Sequence, residues 1–322
     1  MSTAAEVGTV FTTLWNDIEQ EKTFPQKRPL LAHYTSIGTL ESIMRNDEIW
    51  FSNPLFMNDL QELRFGIVEG ANAFRQHKGI ESACGDSGRY ETLSQAFEHN
   101  FDEFSNKHAI DTYVFCLAEH DPGNSDGLLS MWRGYGGNGS GVALLFDTRQ
   151  LIHIEGMVPL IISSVTYASE LERLGWIDRK LTEFAALLTE YQIPRGQLYI
   201  AAYQLFERIK MFALFTKHHG FSEEREWRVV YLRERDQQKK IEDMLHYAVG
   251  PRGIEPKLKF QVRPIEGYTN PDLSLEKIVA QIILGPTTSH NLALESVRRM
   301  LVKLGKDVLA DRVTISSTPF RP

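Results

Sequence analysis

The sequence predicts a mixed α+β fold, on three observations. Short apolar runs rich in β-branched and aromatic residues recur along the chain. Amphipathic helical stretches of unequal length separate them. No Gly-, Pro- or Ser-rich linker divides the 322 residues, so one sheet domain carrying helical insertions is expected rather than two domains. Residues 1–28 read as an N-terminal helix and its connector, and residues 29–322 as the single α+β domain, with a helical insertion at about 169–216. Composition agrees with a folded chain: 42% hydrophobic and 24% charged residues exclude wholesale disorder and a disulfide-stapled miniprotein. The net charge of −7 argues against a global electrostatic grip on nucleic acid. The two cysteines, Cys84 and Cys116, form no C-x-x-C pair and suit a reducing cytoplasm. No apolar run approaches a membrane span and no signal peptide is visible, so a cytoplasmic protein without membrane contact is expected.

Each element has its local reason. Val10, Phe11, Leu14, Trp15 and Ile18 share one helix face. Leu30 to Tyr34 is a short strand. Thr35 or Ser36 caps a helix whose apolar face is Ile37, Leu40, Ile43 and Met44. Ile49 to Ser52 is the next strand, broken by Asn53-Pro54. A helix follows from about Asp59 to His77, then a loop over 78–90 and a helix over 91–107. Tyr113 to Ala118 reads as a strand, and Met131-Trp132 as a short helical turn. Val142 to Phe146 and Leu160 to Tyr167 read as strands, and 169–190 and 195–216 as helices. In the second helix Leu198, Ala202, Leu205, Ile209 and Phe212 recur at steps of four and three. Glu226 to Leu232 returns as a strand. Residues 233–260 are charged, with room for a short helix. Ile278 to Leu284 is a strand, Ser289 caps a last helix, and Val313 to Ile315 ends the set.

Four clusters carry candidate chemistry. His33 and Thr35 flank one residue on a strand and so share a face. They suit hydrogen bonds to a ribose or carboxamide, and equally a core histidine beside a capping threonine. Ser52, Asn58, Asp59 and Glu62 place small polar and acidic groups after the second strand, as a binding loop or as an Asx turn opening a helix. Trp132, Arg133 and Tyr135 fit a planar ring or a phosphate, though Trp132 fits a core equally well. The adjacent glycines match neither a Rossmann nor a P-loop pattern. In the fourth cluster Glu223, Glu224 and Glu226 open an apolar strand, with Glu224 and Glu226 expected on one face. Such a carboxylate stabilises the positive charge that develops as a glycosidic bond breaks. A salt-bridged strand end with Arg225 and Arg228 is the plainer reading. Nine Lys/Arg against six Asp/Glu between Glu207 and Lys240 point to an anionic ligand nearby. His218-His219 lacks metal-ligand spacing, so no metal is expected.

Together these blocks resemble the bacterial family catalogued as domain of unknown function 2971. They are His33-Tyr34-Thr35-Ser36, Trp50 to Pro54, Met57-Asn58-Asp59 with Glu62, Ser130 to Arg133 with Tyr135, Phe221 with Glu224 and Glu226 to Arg228, Ile283 to Pro286, and Ser317 with Pro319 to Arg321. A more distant resemblance is to ADP-ribosyltransferases, through the His-x-Thr strand, the strand ending in Ser52 and the Glu224-x-Glu226 pair. That resemblance implies a mixed, split β-sheet core and NAD as substrate. It assigns catalysis to Glu226 with Glu224. It assigns NAD binding to His33, Tyr34, Thr35, Ser52, Asn58, Trp132, Arg133 and Tyr135. The middle motif of those enzymes aligns with no one residue here. ADP-ribose would pass to a protein, a nucleic acid or water, in a toxin or phage-defence effector. The alternative from another class is a non-catalytic nucleotide sensor or protein-interaction domain, and a homo-oligomer is compatible with either.

Overall fold

The structure, a computed structural model, describes residues 4–17, 24–57, 60–152, 158–250, 253–287 and 291–319. Asn58, Asp59, Ser289, Phe320 and Arg321 lie outside the described residues, and so does the side chain of Glu62. In chain order the elements begin with α1 (Ala4–Val10), β1 (Leu30–Thr35), α2 (Ile37–Asn46), β2 (Glu48–Ser52), α3 (Leu60–Gln76), α4 (Lys78–Cys84) and α5 (Ser87–Glu103). Then come β3 (Thr112–His120), α6 (Leu129–Gly134), β4 (Val142–Asp147), β5 (Leu160–Ser164), β6 (Thr166–Ala168), α7 (Glu170–Tyr191), α8 (Leu198–Leu214) and β7 (Thr216–His218). The chain ends with β8 (Glu226–Leu232), β9 (Leu245–Gly250), β10 (Gly253–Gln261), α9 (Leu275–Ile278), β11 (Val279–Leu284), α10 (Asn291–Lys303), α11 (Asp307–Ala310) and β12 (Val313–Ile315). The mixed α+β class is therefore observed.

These elements form two compact units. A helical unit takes Met1–Gln20, Pro54–Thr112 and Val165–Phe221, and a sheet unit takes Glu21–Asn53, Tyr113–Ser164 and Ser222–Pro322. The helical residues thus extend beyond the expected insertion at 169–216 and include the N-terminal helix.

In the helical unit the buried face of α8 is continuous, from Leu198 through Ala202, Leu205 and Ile209, as the four-three spacing requires. Phe74, Phe97 and Phe184 are fully buried with it. Arg208 lies between the rings of Trp15 and Trp176, at 5.4 and 4.4 Å. Its guanidinium donates to both Asp17 oxygens at 3.0 Å, and Trp176 Nε1 donates to the same carboxylate at 2.7 Å. A buried arginine paired in this way ties the N-terminal segment to α7 and α8.

In the sheet unit the strand order is β12-β11-β4-β1-β3-β2-β10-β9, with β8 beside β3 and β5 beside β8. β11 and β12 run parallel, whereas β1 with β3 and β4, β2 with β3 and β10, β9 with β10, β4 with β11, and β5 with β8 are antiparallel. β3 has three partners, so two share an edge. β1 pairs with its far end, Ala32 opposite Ala118, and β2 with its near end, Ser52 opposite Val114. The sheet therefore forks along β3. One face carries the main core, with Leu31, Phe115, Leu117, Trp227, Tyr231 and the helices α2 and α10. The other carries a smaller core of Ala32, Tyr34, Ala118, Met131 and Trp132.

Three expectations need correction. Residues 78–90 hold α4 and the start of α5 rather than a loop. His77 Nδ1 accepts from the Ile80 amide and Asp86 from the Arg89 amide, and these caps offset the cost of Gly79 and Gly88. The run Leu160–Tyr167 is two strands: β5 is antiparallel to β8, and β6 is parallel to β7. Residues 245–261 form the β9–β10 hairpin where only a short helix was expected. Ile254, Pro256, Leu258 and Phe260 alternate with Glu255, Lys257 and Lys259, a period-two pattern masked by its charges.

Candidate functional site

Strand alternation sorts the candidate residues between the two faces. On β8, Trp227 and Tyr231 enter the main core, so Glu226 and Arg228 point to the opposite face. Both are buried, at 4% exposure each, and Arg228 donates to both carboxylate oxygens, at 2.8 and 3.2 Å. On β1, Tyr34 joins the smaller core, on the face that Glu226 shares. His33 points the other way: its ring lies against Phe115, 4.6 Å between centroids. The structure thus does not bring His33 and Glu226 to one face.

Glu224 and Glu226 sit in different settings: Glu224 is half-buried and Glu226 is buried. Arg225 has φ 46°, a left-handed backbone that interrupts the strand period. Glu224 ends a 3-10 turn, His219–Glu224, ahead of β8. Its Oε1 accepts from the Tyr135 hydroxyl at 2.9 Å. Arg225 turns to Glu119 at 3.3 Å. Glu119 also takes Lys27 at 2.7 Å and Trp227 Nε1 at 3.0 Å. Burial raises the Glu119 pKa, but the Lys27 and Trp227 hydrogen bonds and the charges of Lys27 and Arg225 outweigh it and hold the carboxyl low.

Trp132 and Tyr34 are packing residues in this arrangement. They meet edge to face at 4.8 Å. Trp132 Nε1 donates to the Asp126 carbonyl, and the Tyr34 oxygen accepts from the Leu128 amide, each at 2.8 Å. Burial pushes the Tyr34 hydroxyl up to about 12. Gly127, at φ +80°, passes so close that a Cβ there would stand 2.9 Å from both Trp132 Nε1 and the Tyr34 oxygen, so only glycine fits. Asp126 in turn accepts from the Ser317 hydroxyl at 3.1 Å, which gives the C-terminal serine block a structural role. Arg133 and Tyr135 follow Trp132 and are exposed, Tyr135 at 49%.

His33 Nδ1 lies 3.2 Å from the Cys116 carbonyl. A carbonyl only accepts, so the neutral ring carries its proton on Nδ1 and leaves Nε2 as an acceptor. Cys116 falls between Ala118, the last residue paired with β1, and Val114, which pairs with β2. His33 therefore bridges the fork of the sheet. Burial pulls its pKa down to about 4, against the smaller upward effect of the Cys116 bond. Thr35 ends β1 opposite Val142, and Ser36, not Thr35, caps α2 by accepting from the Thr39 amide at 3.0 Å. Ser52 Oγ accepts from Lys257 at 2.9 Å, and Lys257 pairs with Glu255 at 3.1 Å.

The structure thus joins two separated sequence blocks through Tyr135 and Glu224, and it buries Glu226 with Arg228. Among the described residues no group of three or more His, Cys, Asp or Glu is placed to hold a metal ion, and no helix is long and apolar enough to cross a membrane. Glu119 and Lys27 were missed in the sequence. The apolar run ends at Ala118, and β3 continues two residues beyond it, through Glu119 to His120.

Residues 131–229 match the model of the family described as a protein of unknown function, DUF2971. The matched segment includes Trp132, Arg133, Tyr135, Glu224, Glu226 and Arg228; His33, Tyr34, Ser52 and Glu119 lie outside it. No curated protein and no solved structure matches the chain.

Proposed function

We propose that the chain binds NAD or a related nucleotide and cleaves its nicotinamide N-glycosidic bond, passing ADP-ribose to a macromolecule or to water. The observation that carries this reading is the Tyr135–Glu224 hydrogen bond at 2.9 Å. It sets a carboxylate beside an exposed aromatic ring, with the exposed Arg133 two residues before it. The ring offers a face for nicotinamide and the guanidinium a partner for phosphate. The carboxylate stabilises positive charge at the ribose carbon as the bond breaks. In this reading Glu224 acts on the substrate. Glu226, to which the resemblance assigns catalysis, holds Arg228 in place. The forked sheet, with His33 at the fork, supports the split-sheet core that such enzymes have.

A second reading, nucleotide recognition without turnover, is favoured by the burial of the Glu226–Arg228 pair, which keeps that carboxylate from solvent. One experiment separates the two. The protein is incubated with NAD, and both free nicotinamide and melting temperature are read. An enzyme releases nicotinamide; a sensor melts higher and leaves NAD intact. Neither effect would contradict both readings.

A further inference from the structure

β9 ends the strand order and pairs only with β10 among the described residues. The β9–β10 hairpin carries three exposed apolar side chains in register. Tyr247 is 68% and Val249 84% exposed, and Ile254, opposite Val249 on β10, is 66% exposed. All three share one face of the hairpin. Soluble proteins usually blunt such an edge with lysine, proline or a bulge. The strand Leu245-His-Tyr-Ala-Val-Gly250 has none of these and no acidic or basic charge besides its histidine.

The hydrogen-bond parity of the edge follows from Pro256, which lies opposite Tyr247. Proline has no N–H to exchange, so this is a non-hydrogen-bonded pair. The main-chain groups of Leu245, Tyr247 and Val249 then face outward, on the free edge. An antiparallel partner strand must set outward-facing residues against outward-facing residues. A second β9 does this when the two-fold axis passes through Tyr247. Tyr247 then faces its own copy, and Leu245 faces Val249 in both directions. Three such pairs exchange about six main-chain hydrogen bonds. No like charges meet, and the two Tyr247 rings become a cross-strand aromatic pair.

We infer that the partner of this edge is a second copy of the chain, joined β9 to β9 into a sheet that continues across the dimer. The edge and its exposed side chains supply on the order of 500 Å² per copy, below the ~800 Å² of a standard interface. The dimer is accordingly concentration-dependent rather than permanent.

Sedimentation velocity over a concentration series tests this on the wild type, on Tyr247→Lys, and on an equal mixture of Tyr247→Lys with Tyr247→Glu. The wild type dimerises, the lysine variant dimerises at least about tenfold more weakly, and the mixture regains the dimer. Tyr247→Cys supplies a second arm. On oxidation it gives a disulfide-linked dimer, because the paired Cα atoms lie at ~5.5 Å, whereas Ala248→Cys does not. A wild type that stays monomeric at every concentration overturns the inference and leaves the edge to a different polypeptide. So does a Tyr247→Lys variant that dimerises as the wild type does, or equal cross-linking at both cysteine positions.

Discussion

Replacing Glu226 by glutamine removes one charge and almost no volume, so a residue acting only on substrate would lose activity and keep its fold. The structure gives a different expectation. Both Glu226 and Arg228 are buried, and two charge-assisted hydrogen bonds join them. Such bonds contribute about 1.5–3 kcal/mol each. Removing one partner of a buried pair costs about 3–5 kcal/mol, because the remaining charge keeps its desolvation penalty. Glutamine retains one acceptor oxygen, which places Glu226→Gln near the lower end, at about 3 kcal/mol. For a unit of this size that lowers Tm by roughly 6–12 °C. The melt is followed by tryptophan fluorescence, to which the fully buried Trp227 next to Glu226 contributes along with the other four tryptophans. The double variant Glu226→Gln/Arg228→Met removes the stranded charge and should recover most of the loss. A Glu226→Gln protein that melts within about 1 °C of the wild type would refute the structural role and return Glu226 to the substrate.

Two further outcomes follow. His33 has a folded pKa of about 4, below its ordinary 6.5, so its contribution is complete above pH 6.5 and is lost as pH falls from there toward 4. At 1.36 kcal/mol per unit the loss is roughly 3 kcal/mol. His33→Asn, which keeps a donor for the Cys116 carbonyl, should flatten the pH dependence of the urea midpoint over that range, and an imidazole titrating near 6.5 by NMR would contradict the assignment. In the helical unit, burial raises the Asp17 pKa, but the charge of Arg208 and the hydrogen bonds from Trp176, Arg208 and Lys180 outweigh it, and the carboxyl is held low. Its contribution is therefore present above pH 3.8 and lost as pH falls below. Asp17→Ala should cost about 2–4 kcal/mol, read as a drop in helical circular dichroism at lower urea; an unchanged midpoint would dissociate Asp17 from Arg208.

Much of the fold was legible because the signals were local. The steps from Leu198 to Phe212 placed α8, and Ser36 with the apolar face of α2 placed its start. The run Val142 to Phe146 placed the fully buried β4. The hairpin β9–β10 was less legible, because its polar positions carry Glu255, Lys257 and Lys259, which read as a charged segment unless alternation is counted. The site was legible as residue blocks and not as geometry. The blocks around Trp132 and Glu224 were singled out, and the Tyr135–Glu224 bond joins them. Their roles within each block depended on what no spacing rule contains: the left-handed Arg225, which breaks the strand period between Glu224 and Glu226, and the fork along β3, which occupies His33 with a backbone carbonyl. Tyr34 and Trp132 look alike as ligand platforms and as core residues in sequence, and only burial separates the two.

The central claim is that Glu224, set by Tyr135, acts on an N-glycosidic bond. Free nicotinamide released from NAD tests it most directly, measured for the wild type, Glu224→Gln and Tyr135→Phe, with the melting temperature of each protein taken alongside. Glu224 and Tyr135 lie outside the buried core, so both variants should melt close to the wild type. The account expects release by the wild type, a loss of about 100-fold or more in Glu224→Gln, and a smaller loss in Tyr135→Phe. Wild-type release that Glu224→Gln leaves unchanged would contradict the role of Glu224, and no release by the wild type would contradict the enzymatic reading itself.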